Sequence, residues 1–264
     1  TGRAGFRMYR SHTVLPVLSC PLAVPGSLEP VLSRRWRPGG ELEVVTDSGR
    51  SDAERSDTGR VDVAERRPGR PPARHRGTGR VVRFAAGRSW ELSAQGFWQV
   101  HPAAADALAA LVGDWAAAPL GGTAWDLYGG VGLFAAVLGG QVGPSGSVTV
   151  VESSRLAVAD GAAALADLAQ VRFVTGRVER VLDRLPGRPD VVVLDPPRRG
   201  VGREVAAAVA DRGAARIVQV ACDPAALARD IAGYAGSGYQ LQAVRALDAF
   251  PMTHHVECVA LLQP

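Results

Sequence analysis

From residue 101 onward, the sequence alternates between short apolar segments typical of strands and amphipathic segments typical of helices. The predicted strands that have a helix between them lie at 123–128, 147–152, 171–175, 190–195 and 216–221. The segment Val191–Leu194 is apolar without alternation, as expected for a strand whose two faces are both covered by helices. Strands separated by helices predict an α/β domain with a mostly parallel sheet.

Two more strands are predicted at 239–247 and 255–262, with no helix between them. We expect this pair to form an antiparallel C-terminal hairpin at one edge of the sheet. The predicted helices lie at 101–118, 133–139, 155–169, 178–185, 202–212 and 224–236. Together these elements predict a Rossmann-like fold.

Residues 1–90 differ in composition from the rest, because they are rich in Arg, Pro and Gly. Strand-like stretches at 40–46 and 79–84 predict a small, irregular, β-containing region before the main domain at 91–264. Residues near 47–78 include few apolar side chains and carry charges of both signs, so we expect a flexible charged loop or linker there. A nucleic-acid-binding arm is the alternative for this stretch.

The charge of the chain indicates the kind of partner it binds, and its cysteine content indicates the cellular compartment. All 30 basic Lys/Arg positions are Arg and the formal net charge is +4, which fits a polyanionic partner because Arg binds phosphate and stacks on bases. The three cysteines are too few and too scattered for a disulfide framework or a zinc site, so we expect a cytoplasmic protein. Three prolines interrupt the apolar stretch at 14–26, which argues against an export signal.

A glycine-rich loop, Asp126-Leu-Tyr-Gly-Gly-Val-Gly132, follows the first strand of the alternating pattern. Glycines let the backbone approach a nucleotide-type cofactor at the carboxyl end of a parallel sheet. Glu152 lies about twenty residues further on, where it could hold the ribose hydroxyls of either NAD or S-adenosylmethionine. Asp126 would repel a pyrophosphate but suits the sulfonium and ammonium groups of S-adenosylmethionine, so the sequence favours that cofactor.

Two further candidate segments follow the next strands of the same edge. Asp195-Pro-Pro-Arg198 ends the fourth strand, and Cys222 follows the fifth. A helix that starts at Pro224 would favour a thiolate at Cys222 through its dipole. A strand-ending turn and a structural core cysteine are the alternatives for these two segments.

Five motifs occur in the order seen in a known family. They are Phe97-Trp-Gln-Val-His101, Asp126-Leu-Tyr-Gly-Gly-Val-Gly132, Asp195-Pro-Pro-Arg198, Ala221-Cys-Asp-Pro-Ala225 and Phe250-Pro-Met-Thr-His-His-Val-Glu257. The segment from about 80 to 264 resembles RNA uracil-C5 methyltransferases of the TrmA/RumA type, and the last two motifs are the most specific. The resemblance implies a class I methyltransferase fold. It also implies methyl transfer from S-adenosylmethionine to C5 of a uridine in tRNA or rRNA, through a covalent Cys–C6 adduct that yields 5-methyluridine.

The resemblance places Cys222 as the nucleophile and Glu257 as the general base. The cofactor-binding residues expected from the glycine loop and the resemblance are Gln99, Asp126, Tyr128, Gly130, Gly132, Glu152 and Asp195. The expected substrate-binding residues are Phe97, Gln99, Asp195, Arg198 and His255. C5 of uracil is a poor nucleophile, so thiolate addition at C6 is needed to activate it, and a carboxylate must later remove the C5 proton.

RNA is the expected partner; no membrane or protein partner is predicted, and we expect a monomer. Some members of the family carry a four-cysteine iron–sulfur site, to which only Cys20 could correspond, so no cluster is expected. His254, His255 and Glu257 could be read as metal ligands, but the sequence offers no partner cluster, so no metal site is predicted.

Two alternatives stay open. Many family members have an N-terminal TRAM barrel that grips RNA, which residues 1–264 are expected to lack, and Leu133 stands where the family often has Asn. These departures allow a catalytically inactive RNA-binding protein of the same fold. A methyltransferase that acts on nitrogen through Asp195-Pro-Pro-Arg198 is the second alternative.

Overall fold

The computed structural model describes residues 2–47 and 60–264, which form two compact units. The N-terminal unit comprises the chain up to Phe84 together with Ser89–Gly96, and the C-terminal unit comprises Ala85–Arg88 and Phe97–Pro264. The elements that precede Phe97 are β1 (Gly5–Arg7), β2 (Val14–Pro16), α1 (Glu29–Leu32), β3 (Glu41–Thr46), β4 (Val61–Arg67), β5 (Arg70–Arg76), β6 (Arg80–Ala85) and β7 (Arg88–Ser93).

Three of these strands, β3, β4 and β5, form an antiparallel sheet. A small apolar core beside it is made by Val31, Val61 and Val63. The hairpin of β4 and β5 corrects the loop predicted near 47–78, of which residues 48–59 lie outside the described residues. The sequence pattern does not reveal the hairpin because every residue of β5 is exposed, so β5 is held by backbone pairing rather than by apolar burial.

The C-terminal unit alternates strands and helices, as predicted. Its elements are α2 (Ala104–Ala116), β8 (Thr123–Leu127), α3 (Leu133–Val142), β9 (Ser147–Glu152), α4 (Arg155–Ala164), β10 (Val171–Thr175), α5 (Val178–Val181), β11 (Val191–Leu194), α6 (Arg203–Ala210), β12 (Arg216–Ala221), α7 (Pro224–Ala235), β13 (Gln240–Leu247) and β14 (Glu257–Gln263). Among the residues that the structure describes, no helix is both long and apolar enough to cross a membrane.

Seven strands of this unit form one sheet in the order β10-β9-β8-β11-β12-β14-β13. Within the group of strands β8 to β12, every neighbouring pair is parallel. β14 is antiparallel to both β12 and β13. The predicted α/β class, the mostly parallel sheet and the antiparallel final pair are therefore confirmed. β14 enters between two strands that precede it in the sequence, and this position matters for the site.

The central strands are buried along almost their whole length. Apolar side chains from these strands pack against the helices that cover the sheet, and the largest fully buried ones include Trp125, Leu127, Leu194, Ile217 and Leu262. Charged and amide side chains break this apolar core at a few positions: Asp126, Asp160, Gln219, Asp230 and Glu257. Burying a carboxyl group is costly, and such groups concentrate at functional sites.

Candidate active site

The carboxyl ends of the central strands bring the predicted loops to one edge of the sheet. β8 lies between β9 and β11 and is parallel to both, so it marks the place where the strand order reverses. Ligands bind at this crevice in open α/β sheets. The glycine loop follows β8, Glu152 ends β9, Asp195 follows β11, and Cys222 follows β12.

The glycine loop adopts left-handed backbone conformations, which glycine tolerates best. Tyr128, Gly130 and Gly132 have φ values of 59°, 56° and 86°, which lie in the left-handed region. A Cβ at Gly129 would lie 2.6 Å from Val150 Cγ1 and 2.9 Å from Asp126 Cγ, so only glycine fits there. The loop therefore turns sharply over the end of β8 and leaves its backbone open to a ligand.

Glu152 holds this loop from the neighbouring strand. Its Oε2 accepts a hydrogen bond from the Gly130 N–H at 3.1 Å, and its Oε1 accepts one from the Ser154 N–H at 2.6 Å. The Tyr128 hydroxyl hydrogen-bonds to Glu179, and this contact holds the loop from another side. Burial raises the pKa of Tyr128. Both predicted cofactor contacts thus also stabilise the loop itself.

Asp126 lies beneath the loop and is completely buried. Its Oδ2 accepts a hydrogen bond from the Ala135 N–H at 2.9 Å, whereas its Oδ1 has no hydrogen-bond partner among the described residues. Burial raises the pKa of Asp126 to about 8, against the lowering effect of the Ala135 N–H, and the nearby Asp195 and Glu152 raise it further. A cation beside the open oxygen would favour the charged carboxylate.

Cys222 and Glu257 meet at the end of the pairing between β12 and β14. The ladder pairs Ala221 with Cys258, so its continuation by one residue places Cys222 opposite Glu257. Glu257 is buried, and desolvation followed by the charge of Asp195 raises its pKa to about 7. The charge of Glu257 in turn acts on the Cys222 thiol. The structure therefore brings the predicted nucleophile and the predicted base together.

The surroundings of Cys222 influence its ionisation in both directions. Burial raises the pKa of this partly exposed thiol, Glu257 and Asp195 raise it further, and Arg198 lowers it. α7 does begin at Pro224, and Asp223 caps it by accepting a hydrogen bond from the Ala226 N–H at 2.7 Å. Desolvation and two acidic neighbours thus oppose the thiolate that the start of α7 would favour.

Asp195 interacts electrostatically with both parts of this site: Asp126 beneath the glycine loop, and the pair formed by Cys222 and Glu257. Desolvation raises the pKa of Asp195 to about 7. Its charge raises the pKa values of Asp126, Cys222 and Glu257, so all four groups share one electrostatic neighbourhood. We call these four residues the acidic cluster.

Arg198 and His255 lie at the border of the acidic cluster. Arg198 sits on an exposed turn and lowers the pKa values of both Cys222 and His255. The His255 ring contacts the His254 ring, with centroids 4.2 Å apart, and packs edge-on to Phe250 at 6.1 Å. Within the described part of the chain, no group of three or more metal-ligating side chains is arranged to hold an ion.

Phe97 and Gln99 lie in the segment before α2. Phe97 is 74% exposed, and Gln99 is partly buried. In the described ranges, no hydrogen bond or ion pair joins either residue to the acidic cluster. Their predicted contacts with cofactor or substrate therefore stay predictions.

Sequence reasoning missed a polar group next to this site. Asp230 on α7 and Gln219 on β12 are both buried and hydrogen-bonded to each other at 2.8 Å. The available signal was an acidic residue on the apolar face of α7, between Leu227 and Tyr234. A charged residue on such a face indicates a partner inside the protein.

The sequence is similar to a known methyltransferase family and to proteins of Streptomyces and Corynebacterium species. Residues 155–264 match the family described as tRNA (Uracil-5-)-methyltransferase. A Streptomyces avermitilis protein named "Uncharacterized RNA methyltransferase" is 40% identical over 286 residues, which cover 100% of this chain and 64% of that protein. A Corynebacterium diphtheriae protein of the same description is 37% identical, with 99% of this chain and 65% of that protein covered. The chain thus spans somewhat less than two thirds of the length of these relatives.

Solved structures share the fold. The Pyrococcus abyssi tRNA (uracil-54, C5)-methyltransferase in complex with S-adenosyl-L-homocysteine aligns with a TM-score of 0.61 and 22% identity, covering 83% of this chain and 50% of that one. M. jannaschii TYW2 in complex with AdoMet aligns with a TM-score of 0.52 and 14% identity, covering 73% of this chain and 90% of that one. These likenesses confirm the class I methyltransferase fold predicted from the sequence. The region that is similar to the tRNA (uracil-5-)-methyltransferase family includes Asp195, Cys222 and Glu257.

Proposed function

We propose that this chain transfers a methyl group from S-adenosylmethionine to C5 of a uridine in RNA and produces 5-methyluridine. The observation that carries the proposal is the placement of Cys222 opposite Glu257 at the open end of the β12–β14 pairing. A sulfur nucleophile and a carboxylate base are the two groups that methylation at this carbon requires. The family name and the names of the relatives support RNA as the substrate.

The residues around Asp126 fit S-adenosylmethionine. The unpartnered Oδ1 of a completely buried carboxyl group suits a cationic ligand, because a positive charge would compensate its lost hydration. Gly130 and Gly132 leave room for close backbone approach, and Glu152 lies where it could accept hydrogen bonds from ribose hydroxyls. When bound, S-adenosylmethionine supplies an electrophilic methyl group. By the family resemblance, Tyr128 and Gln99 complete the cofactor contacts.

Cys222 and Glu257 perform the chemistry on the pyrimidine. The Cys222 thiolate adds to C6 of the uracil, and the electrons of the C5–C6 double bond make C5 nucleophilic. After C5 has been methylated, the Glu257 carboxylate takes the C5 proton. The electrons of that C–H bond re-form the C5–C6 double bond and expel the Cys222 sulfur as a thiolate. Both residues are therefore regenerated, apart from one proton that Glu257 passes to solvent.

Arg198 and His255 lie at the border of the acidic cluster, and by the family resemblance Phe97 joins them as a substrate-binding residue. The target uracil must leave its stack to reach Cys222, which costs a few kcal/mol. Exposed Phe97 offers a surface for base stacking, and Arg198 offers a positive charge for phosphate or for the uracil oxygens. Asp195 lies between the two halves of the site, where its carboxyl group could orient the uracil ring or the cofactor.

The product of the reaction tests this function. We expect unmodified tRNA or rRNA transcripts, incubated with the protein and S-adenosylmethionine, to yield 5-methyluridine when they are digested and analysed by mass spectrometry. An N-methylated nucleoside would instead favour the nitrogen-directed reaction through Asp195-Pro-Pro-Arg198. Calorimetry with S-adenosylmethionine provides the second criterion, because absence of binding would favour an inactive RNA-binding protein.

The pH dependence of the reaction should follow the two catalytic groups. Glu257 must be ionised to accept a proton, and its pKa of about 7 means that the active form increases as the pH rises. The fraction of Cys222 that is present as thiolate also increases with pH. Because burial and acidic neighbours raise the pKa of Cys222, this increase occurs at a higher pH than for an ordinary thiol. We therefore expect kcat, measured at saturating RNA and cofactor, to rise about tenfold or more per pH unit below pH 7 and to continue rising towards pH 9. A flat profile between pH 6 and 8 would contradict the assigned base.

A further inference from the structure

The turn that presents Arg198 is held both by its own hydrogen bond and by a buried side chain beneath it. The segment between β11 and α6 begins with Asp195 and closes a tight turn, in which the Gly200 N–H donates a hydrogen bond to the Pro197 carbonyl at 2.8 Å. Arg198 lies within this turn and is exposed. Gly200 and Gly202 both have a φ of 80°, so the chain needs glycine where it leaves the turn.

The carboxylate of Asp230 accepts hydrogen bonds from the end of this turn. Its Oδ2 accepts a hydrogen bond from the Val201 N–H at 2.9 Å, and its Oδ1 accepts one from the Gly202 N–H at 3.1 Å. Asp230 is only 4% exposed, so these N–H groups replace the water that burial has removed. An added Cβ at Gly200 would collide with the Asp230 carboxylate, which shows how closely the turn packs on it.

The same carboxylate is also tied to the strand that leads to the nucleophile. The Gln219 amide on β12 donates a hydrogen bond to Asp230 Oδ2 at 2.8 Å, three residues before Cys222. Asp230 itself belongs to α7, which begins two residues after Cys222. One buried side chain therefore connects the Arg198 turn, β12 and α7.

We propose that Asp230 is a positioning residue that sets the distance between Arg198 and Cys222 in the reaction proposed above. Arg198 and Cys222 lie on different segments, and the carboxylate of Asp230 is the group in this region that hydrogen-bonds to both the turn and β12. The role rests on the proposed function, since it matters only if Cys222 reacts. Asp230 is buried beneath the turn, and its proposed effect is exerted through the turn rather than on the reacting atoms.

The test uses the variant Asp230→Asn. Asparagine keeps the size of the side chain but has one acceptor oxygen instead of two, so one backbone N–H loses its partner and the turn loosens. The matched control is Asp190→Asn: Asp190 Oδ2 accepts a hydrogen bond from the Thr123 N–H at 2.8 Å, at the opposite end of the sheet. Circular dichroism melting checks that both variants fold.

Three measurements follow, and two of them need no RNA. Amide hydrogen exchange of the peptide covering 195–202 should become faster in Asp230→Asn and stay unchanged in Asp190→Asn. Alkylation of Cys222 by iodoacetamide, followed by mass spectrometry at pH 8, should slow about two- to threefold as Arg198 moves away. Removal of a negative charge alone would lower the thiol pKa and speed alkylation, so slowing identifies displacement of Arg198. The kcat for methylation should fall about 10- to 100-fold while cofactor affinity stays the same.

Gly200→Ala provides an independent variant in case Asp230→Asn does not fold. It keeps the carboxylate but pushes the turn away from it, so the same faster exchange and slower alkylation are expected. Unchanged exchange and unchanged Cys222 alkylation in the folded variants would overturn the proposal. If the wild-type protein makes no 5-methyluridine but the alkylation effect persists, the proposed reaction fails and the placement of Arg198 by Asp230 stands.

Discussion

Replacement of Cys222 by Ala should abolish methylation, with a loss of about 10⁴-fold or more in kcat, while S-adenosylmethionine still binds. The reason is that this variant lacks the sulfur that, in the proposed reaction, adds to C6 and activates C5. RNA that contains 5-fluorouridine should form a stable covalent complex with the wild-type protein, because Glu257 cannot remove fluorine as a proton. The Cys222→Ala protein should form no such complex on a denaturing gel, even with cofactor present.

Cys258→Ala is the matched control for this experiment. Cys258 follows Glu257 directly, but it is only 6% exposed and is paired with Ala221 within the sheet. Arg198 lowers the pKa of Cys222 and is not among the charges that act on Cys258. The Cys258→Ala protein should therefore still form the covalent complex. A complex in Cys222→Ala, or its loss in Cys258→Ala, would assign the nucleophile to the other thiol.

Replacement of Glu257 by Gln should stop the reaction one step later. The Cys222–C6 bond can still form and C5 can still be methylated, but the C5 proton has no acceptor, so the sulfur cannot leave. Turnover should fall about 10³-fold, and a methylated covalent complex should accumulate on ordinary uridine-containing RNA. Denaturing gels with cofactor that carries a radioactive methyl group would detect it.

The stability of Glu257→Gln separates this effect from unfolding. Burial raises the pKa of Glu257 to about 7, so at pH 8 its ionisation costs more free energy in the folded protein than in the unfolded chain. A neutral Gln removes this penalty, and the melting temperature at pH 8 should not fall. Glu204→Gln, at an exposed position in the first turn of α6, is the control with normal turnover. Normal turnover in Glu257→Gln would move the role of base to Asp195.

Local patterns in the sequence predicted most of the C-terminal unit. The apolar run at 190–195 was expected as a strand and is β11, because both of its faces are buried. The predicted ends were less accurate where side chains or turns compete with the regular element. α2 begins at Ala104 rather than at 101, since His101 and Pro102 form a turn closed by the Ala104 N–H. β14 begins at Glu257 rather than at 255, because a turn at Phe250–Thr253 precedes it.

The arrangement of the site depended on contacts that no local pattern contains. The motifs placed Asp126, Asp195 and Cys222 at one edge of the sheet, because parallel strands end together. The insertion of β14 between β12 and β13 and its register with β12 bring Glu257 to Cys222, and this pairing is long-range. The raised pKa of Cys222 reflects burial, which helix position alone does not predict. The role of Asp230 required backbone N–H groups from a turn nearly thirty residues earlier in the chain.

Because β14 carries Glu257 and lies between β12 and β13, the proposed reaction needs the last strand of the chain to be in place. β13 joins the sheet through its pairing with β14, so until β14 has added to β12 the sheet ends at β12 and Cys222 lacks the carboxylate opposite it. In the proposed reaction, a molecule in this state could form the covalent adduct with RNA but could not release it. Multiple turnover is consequently a property of molecules whose final strand has closed the sheet, and repeated product release provides a sensitive measure of correct folding in preparations of this protein.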